Sequence, residues 1–196
     1  MTRILAFSDL HLSQAAAAEI RAAAAEADLV IGAGDFCVGR HGLAEAMDLL
    51  WPIEDKAVYV PGNAESADEL SAATTATVLH GEAVTCAGLR LFGLGYAVPV
   101  TPFGAWSCDL EETAAQALPA PMANADIQNS HSPPKGVADR TGSGQSVGST
   151  AVREAIERDQ PRLCLCGHVH ESWGRSGLIG QTQVHNLDPR PSWHNL

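Results

Sequence analysis

Residues 3–11 read RILAFSDLH, a short apolar run that ends in an aspartate and a histidine, Asp9 and His11. Four further apolar runs also lead into polar residues that can bind a metal ion. These residues are Asp35, Asn63, His131, His168 and His170. In parallel α/β sheets, side chains just beyond the carboxyl ends of the strands meet in one crevice. We therefore predict five strands side by side that bring all seven residues together.

The rest of the chain alternates short apolar runs with helical stretches, which predicts an α/β fold. The strands are predicted at residues 3–8, 29–32, 57–60, 83–86, 89–94 and 163–166, with late antiparallel strands at 171–175, 178–179 and 182–186. The helices are predicted at residues 14–27, 43–50, 66–73, 110–118 and 150–158.

Ser149 or Thr150 is the expected N-cap of the last helix. Ala87-Gly88 predicts a hairpin turn between 83–86 and 89–94. Residues 118–125 and 132–149 are predicted loops.

Composition limits the class of protein. Hydrophobic residues make up 45% and charged residues 18% of the 196 residues, which is typical of a globular chain and enough for one domain over residues 1–196. No apolar run is long enough to cross a bilayer, and the N-terminal apolar stretch is too short for a secretory signal, so we expect a cytoplasmic protein. The net charge of -11 disfavours an extended nucleic acid as a partner. A small phosphorylated substrate stays compatible, because bound cations dominate the local field.

The types of ligand indicate the metal chemistry. Carboxylate, imidazole and amide oxygen suit divalent ions such as Mn, Fe or Zn, and the pattern does not choose among them. Seven ligands are too many for one tetrahedral ion but suit two ions that share a carboxylate. Two cations roughly 3.5–4 Å apart can activate water and stabilise an in-line displacement at phosphorus. The sequence therefore predicts two divalent metal ions.

The order of the short motifs resembles that of the calcineurin-like metallophosphoesterase superfamily. These motifs are Asp9-Leu-His11, Gly34-Asp35, Gly62-Asn63, His131 and Gly167-His168-Val-His170. Residues 131–149 (HSPPKGVADRTGSGQSVGS) and 165–174 (LCGHVHESWG) further resemble the small prokaryotic-type members. The resemblance implies a four-layer α/β/β/α sandwich of two facing mixed sheets with helices outside.

The resemblance also implies a role for each candidate residue. Asp9, His11 and His170 would bind the first metal, Asp35 would bridge, and Asn63, His131 and His168 would bind the second. The implied activity is hydrolysis of small phosphodiesters, or of phosphomonoesters, by a hydroxide that bridges the two metals. Asp35, Asn63 and His131 are the catalytic candidates. Arg140 and His41 are candidates for binding substrate, with ordinary surface positions as the alternative.

Three features leave alternatives open. Family members often carry a histidine directly after Gly-Asn that protonates the leaving group, and this chain has Ala64 there. Either this acid is missing, or His41 or a water beside Ala64 supplies the proton instead. Gln128 and Asn129 stand where the strand before His131 should be apolar, which predicts either exposure or hydrogen-bonded side chains. The Gly-rich residues 141–149 could bind phosphate through backbone N–H groups or form a surface loop.

Two other functions are compatible with the same fold. The chain could be a non-catalytic interaction scaffold, but a scaffold could lose ligands and all seven are present. It could be a nuclease of the same superfamily, but the acidic charge argues against that.

Overall fold

The computed structural model describes residues 1–118 and 123–196, and its strands form two mixed sheets. The first sheet contains β1 (Arg3–Phe7), β2 (Leu29–Gly32), β3 (Ala57–Tyr59), β4 (Thr77–Val78) and β11 (Ser192–Asn195). Their spatial order is β11-β1-β2-β3-β4. Strands β1 to β4 pair in parallel, and β11 pairs antiparallel with β1.

The second sheet contains β5 (Glu82–Cys86), β6 (Leu89–Leu94), β7 (Ile127–Ser130), β8 (Leu163–Cys166), β9 (Ser176–Ile179) and β10 (Thr182–Asn186). Their spatial order is β5-β6-β7-β8-β10-β9. Strands β6, β7, β8 and β10 run parallel, and β5 and β9 are antiparallel edges. The predicted hairpin at Ala87-Gly88 is confirmed, because β5 and β6 pair antiparallel across it.

Helices connect the parallel strands, as this topology requires. They are α1 (Gln14–Ala24), α2 (Leu43–Leu50), α3 (Ala67–Ala73), α4 (Glu112–Ala117) and α5 (Thr150–Asp159), with 3₁₀ turns at Trp51–Lys56 and His170–Ser172. Ser149 is the N-cap of α5, since its hydroxyl accepts from Val152 N at 3.1 Å. In the part of the chain that the structure describes, no helix combines the length and the apolar character needed to cross a membrane.

Three apolar clusters separate four layers. Ile4, Ile31, Leu91 and Leu165 belong to the middle cluster, which lies between the two sheets. A second cluster joins the other face of the first sheet to α1 and α2, and a third joins the other face of the second sheet to α4 and α5. The central strands are therefore buried on both faces, which explains their continuous apolar runs. The α/β/β/α sandwich is confirmed.

The expectation of five strands side by side is wrong. Strands β1, β2 and β3 lie in one sheet, whereas β7 and β8 lie in the facing sheet. The order of apolar runs along a chain does not specify which runs pair, because pairing depends on contacts distant in sequence. The carboxyl ends of the two sets still meet, at one edge of the sandwich.

Several boundaries also differ from the prediction. Residues 171–175 are not a strand, because His170–Ser172 form a 3₁₀ turn that places Ser172 Oγ 2.9 Å from Arg140 O. Helix α1 ends three residues before the predicted end, and β10 is parallel to β8 although antiparallel to β9. Strands β4 and β11 are short edge strands that the apolar pattern did not reveal. Of the predicted loop 118–125, residues 119–122 lie outside the described residues.

The two amides of β7 are both buried. Asn129 Nδ2 donates to Gly32 O at 3.1 Å and so joins the facing sheets, which fits the paired alternative. Gln128 fits neither alternative, because both polar atoms of its side chain lack a hydrogen-bond partner among the described residues. Its side chain borders a cavity of about 200 Å³ beneath α4 and α5.

We expect Gln128→Met to stabilise the fold by about 1 kcal/mol, because it replaces an unpaired buried amide with an apolar chain of similar volume. Chemical denaturation followed by circular dichroism measures the difference. Gln183→Met, on an exposed position of β10, is the matched control. A loss of stability in Gln128→Met alone would show that the amide is hydrogen-bonded to water in the cavity.

Candidate metal centre

The candidate residues lie at one edge of the sandwich, in the turns after β1, β2, β3, β7 and β8. Four of them have left-handed backbone conformations, with φ of 53° at Asp9, 44° at His11, 56° at Asp35 and 67° at His168. Side chains with a β-carbon adopt this region at a cost of roughly 1–3 kcal/mol each. Such strain concentrates at functional sites, where the surrounding structure maintains it.

The first group contains Asp9, His11 and His170, whose ligand atoms lie within 4.8 Å of one another. His11 Nε2 is 3.3 Å from His170 Nε2, and His170 Nε2 is 3.6 Å from Asp9 Oδ1. One carboxylate and two imidazoles therefore converge, as the resemblance implies for a first metal.

The second group contains Asp35, His131 and His168, also within 4.8 Å. Asn63 joins it, since Asn63 Oδ1 is 3.1 Å from His131 Nε2. Asp35 lies between the two groups: its Oδ1 is 3.5 Å from His131 Nε2 and its Oδ2 is 3.7 Å from His11 Nε2. All seven predicted residues are thus brought together, with Asp35 in the bridging position.

Two backbone carbonyls determine which imidazole nitrogen faces the site. His11 Nδ1 lies 3.0 Å from Cys37 O, and His131 Nδ1 lies 2.7 Å from Ala33 O. A carbonyl only accepts, so Nδ1 carries the proton and, in the neutral ring, the Nε2 lone pair points inward. The Nε2 lone pairs of these two rings then face the Asp35 carboxylate oxygens without a proton between them. A cation removes that repulsion, so the residues fit divalent metal ions.

The ionisation of Asp9 and His168 agrees with this arrangement. Burial raises the pKa of Asp9, but the contact with His170 and the charges of nearby histidines outweigh it and hold the pKa below its usual value. Burial, reinforced by the charge of His131, lowers the pKa of His168 to about 4. At neutral pH, Asp9 is therefore a carboxylate and His168 a neutral imidazole, which are the forms that bind metals. Burial lowers the pKa of His131, but the charges of Asp35 and Asp9 outweigh it and raise that pKa. The contact with Asp9 raises the pKa of His170, so a bound cation has to displace a proton from these two rings.

Two glycines of the motifs are required by close approach. A β-carbon on Gly62 would overlap the Asp35 carboxylate, and one on Gly167 would overlap Ser8 and Asp9. The glycine before Asn63 therefore lets two turns of the first sheet meet, and the glycine before His168 lets a turn of the second sheet meet the turn after β1.

Glu65 is a buried residue of the site that the sequence analysis missed. Its carboxylate accepts from Asp35 N at 2.8 Å and from Gly62 N at 2.7 Å, and so fastens the turn after β2 to the turn after β3. Burial and the charge of Asp35 raise the pKa of Glu65 to about 7. In the sequence, the one indication that Glu65 belongs to the site is its position two residues after Asn63.

Trp173 was missed as well. Its indole Nε1 donates to Asp9 Oδ2 at 3.1 Å, and its ring lies 4.2 Å from the His170 ring. The tryptophan therefore orients two members of the first group at once. This contact depends on the 3₁₀ turn that replaces the predicted strand at 171–175.

A third missed feature orients Asn63. Asn63 Nδ2 donates to Ser107 Oγ at 3.0 Å, and Ser107 Oγ donates to an Asp109 carboxylate oxygen. The amide nitrogen is thereby turned outward, and Asn63 Oδ1 faces the second group.

The two candidates for substrate binding lie outside these groups. Arg140 Nη1 donates to Gly144 O at 2.8 Å within its own loop, and the guanidinium borders an open cavity of about 630 Å³. His41 is exposed, and among the described residues its imidazole has no hydrogen bond. Ala64 is buried and its N–H donates to Asp35 Oδ1 at 2.8 Å.

Several N–H groups of the Gly-rich loop and of the first turn of α5 are already hydrogen-bonded. Gly148 N donates to Asp139 Oδ2 at 3.0 Å and Ser149 N to Pro133 O at 2.8 Å. The Glu112 carboxylate accepts from Thr150 N and Ala151 N, each at 2.8 Å. A phosphate would have to compete with these bonds, which favours the surface-loop alternative.

Fold and site together define a protein with a metallophosphatase sandwich and a two-part candidate metal centre. The family model for calcineurin-like phosphoesterases matches residues 2–172. The chain therefore belongs to the calcineurin-like phosphoesterase family. Comparison with curated protein sequences gives no match.

Solved structures share the fold. The TT1561 protein of Thermus thermophilus superposes with a TM-score of 0.74 at 16% identity, over 99% of this chain and 98% of that one. A dimetal phosphatase from Danio rerio gives 0.61 at 14% identity, over 95% and 87%. The phosphopantetheinyl hydrolase PptH from Mycobacterium tuberculosis gives 0.56 at 15% identity, over 95% and 89%. At these identities the likeness establishes the fold alone.

We expect Ser107→Ala to weaken binding of the second metal ion by about 10- to 100-fold, because Asn63 loses the partner that orients its amide. Titration with manganese followed by calorimetry measures both affinities, and the first site should change little. Ser71→Ala, on an exposed position of α3, is the control. Unchanged affinity for both ions would show that Asn63 is oriented without Ser107.

Proposed function

We propose that this protein is a two-metal phosphodiesterase that hydrolyses small phosphodiesters. The observation that carries the proposal is the position of Asp35, whose two oxygens face two separate groups of imidazole and carboxylate ligands. Two divalent ions, when bound, supply an activated water as nucleophile and positive charge for the phosphoryl oxygens. Every other contribution comes from side chains of this chain.

Asp9, His11 and His170 would hold one ion, and Asn63, His131 and His168 the other, with Asp35 shared. The carbonyls of Cys37 and Ala33 keep the Nδ1 protons of His11 and His131 away from the reacting centre. Because these rings are preoriented, little reorganisation is needed when charge develops on the phosphoryl group. Asn63 and His131 border the position where that charge would be stabilised.

The chain offers no evident acid for the leaving group. Ala64 is buried and cannot donate a proton from its side chain. His41 is exposed and, within the described residues, makes no hydrogen bond to either group. General acid catalysis is typically worth about 10²–10⁴-fold, so the reaction should depend strongly on the intrinsic quality of the leaving group.

A diester fits this site better than a monoester. A monoester dianion would lack the positive partner that a protonated histidine at position 64 could supply, whereas a diester carries one negative charge less. The assembled ligand set favours an enzyme over an interaction scaffold. The net charge of -11 favours a small substrate over nucleic acid.

The first test is Asp35→Asn. We expect wild-type protein to bind two manganese ions and to hydrolyse bis(4-nitrophenyl) phosphate, and Asp35→Asn to reduce metal content at both sites and activity by at least about 100-fold. Asp48→Asn, the same chemical change on an exposed position of α2, should match wild type.

Two further variants separate the sites in the same elemental analysis. His170→Ala should mainly deplete the first ion and His168→Ala the second. If Asp35→Asn retained both ions and full activity, the bridging position would have no functional meaning.

The second test measures dependence on the leaving group. For a series of aryl and alkyl phosphodiesters, a plot of log kcat against leaving-group pKa should be steep, because no side chain protonates the departing oxygen. His41→Ala should leave the slope unchanged. A flat plot for wild type, with chemistry shown to be rate-limiting, would contradict the missing acid, and a slope that steepens in His41→Ala would identify His41 as that acid.

A further inference from the structure

A second cleft opens directly beside the candidate metal centre. It has a volume of about 390 Å³ and shares His168 with the second ligand group. Residues 98–103 form one wall, and Lys135 with residues 145–147 forms the other. We call it the side cleft. Because His168 belongs to both, the mouth of the side cleft lies next to the position of a phosphate held at the candidate metal centre.

The wall of the side cleft formed by residues 98–103 is mostly apolar and carries an aromatic ring. Phe103 is 49% exposed, and its ring stacks on that of Trp106, which is 42% exposed, with centroids 5.7 Å apart and planes 9° from parallel. The Phe103 ring also lies edge-on to the His168 ring at 6.4 Å. Large apolar side chains exposed together at the rim of a functional site commonly mark a binding surface.

The segment that carries these rings is fastened at its base. The Asp109 carboxylate accepts from Thr101 N at 2.7 Å and Thr101 Oγ1 at 2.8 Å. The same carboxylate accepts from Ser107, which binds Asn63. The aromatic surface is therefore held in position relative to the candidate metal centre, which lowers the entropic cost of binding a ring there.

The charge in the side cleft argues for a neutral occupant. Lys135 Nζ donates to Ser146 O at 2.7 Å, and its charge acts on Asp139, whose pKa it helps to lower. Lys135 is the one lysine or arginine among the residues that line the side cleft in the described part of the chain. A second phosphate would meet a single cation, one of whose three N–H donors is already bound to Ser146 O, whereas a flat uncharged ring meets the apolar wall of residues 98–103.

We propose that the side cleft binds a flat aromatic ester group of the substrate, and this inference rests on the proposed function. The ring would stack on Phe103 while the phosphate occupies the candidate metal centre. An aryl ester and a nucleobase share this chemistry. Phe103 is therefore the residue expected to determine substrate specificity.

Binding without turnover tests the proposal. Calorimetry on the manganese-loaded protein compares phenylphosphonate, cyclohexylphosphonate and methylphosphonate, which carry the same phosphonate head. We expect phenylphosphonate to bind at least about tenfold tighter than methylphosphonate, with cyclohexylphosphonate between them, because stacking adds to apolar burial. Adenosine 5′-monophosphate against ribose 5-phosphate, as competitive inhibitors, tests whether a nucleobase gives the same gain.

Variants of Phe103 test whether the tighter binding of phenylphosphonate depends on the Phe103 ring. Phe103→Ala should remove most of the preference for phenylphosphonate and leave the affinity for methylphosphonate unchanged. Phe103→Leu should keep the affinity for cyclohexylphosphonate and lose the preference for the flat ring. Trp51→Ala, which removes an exposed aromatic side chain elsewhere, is the control. Phe103→Ala should also raise KM for bis(4-nitrophenyl) phosphate more than it lowers kcat.

The outcomes separate the two hypotheses. If diesters are hydrolysed and all three phosphonates bind equally, the side cleft is not a ring subsite and the proposed function stands. A phenyl preference that survives Phe103→Ala would likewise overturn the ring subsite and leave the proposed function intact. If manganese-loaded protein neither hydrolyses diesters nor binds any phosphonate, the proposed function fails and this inference fails with it.

Discussion

The Asp35 carboxylate is almost fully buried, and its two oxygens face imidazoles that arrive from different sheets. A buried charge is costly unless it is paired or binds a cation. Glu65 holds the turn that carries Asp35 by accepting from Asp35 N, and Asp35 Oδ1 also accepts from Ala64 N. The left-handed backbone of the surrounding turns is tolerable because this one group connects them. Without this carboxylate, the histidines of the two groups would have no shared negatively charged partner.

The close approach of the turns at this edge depends on glycines as well as on the side chains that are present. Gly62 and Gly167 let the turns after β3 and β8 approach the carboxylates of Asp35 and Asp9. Behind them, the apolar cluster between the sheets is continuous, and Asn129 adds one hydrogen bond across it. The rigid packing of the sandwich thus sets the separation of the ligand groups, and the turns only direct the side chains.

The sequence predicted the features that depend on residues adjacent in the chain. Apolar runs identified most strands, and the polar residues after them identified all seven members of the two groups, because a strand and its following turn are adjacent in the chain. The partition of the strands into two sheets came only from the family resemblance, since pairing is decided by distant residues. Ser107 and Trp173 escaped for the same reason: they are 44 and 164 residues from Asn63 and Asp9, the residues they orient.

The segment between β6 and α4 supports both the candidate metal centre and the side cleft. Asp109 fastens Thr101 at the base of the aromatic surface, and it also fixes Ser107, which turns the Asn63 amide. A change in this segment therefore acts on the candidate metal centre and on the side cleft together. Since neither Asp109 nor Ser107 belongs to a ligand motif, variation here would alter the orientation of Asn63 and the wall of the side cleft while the ligand motifs keep their residues. Substrate preference within such a fold can thus diverge without any change in the residues that identify the family.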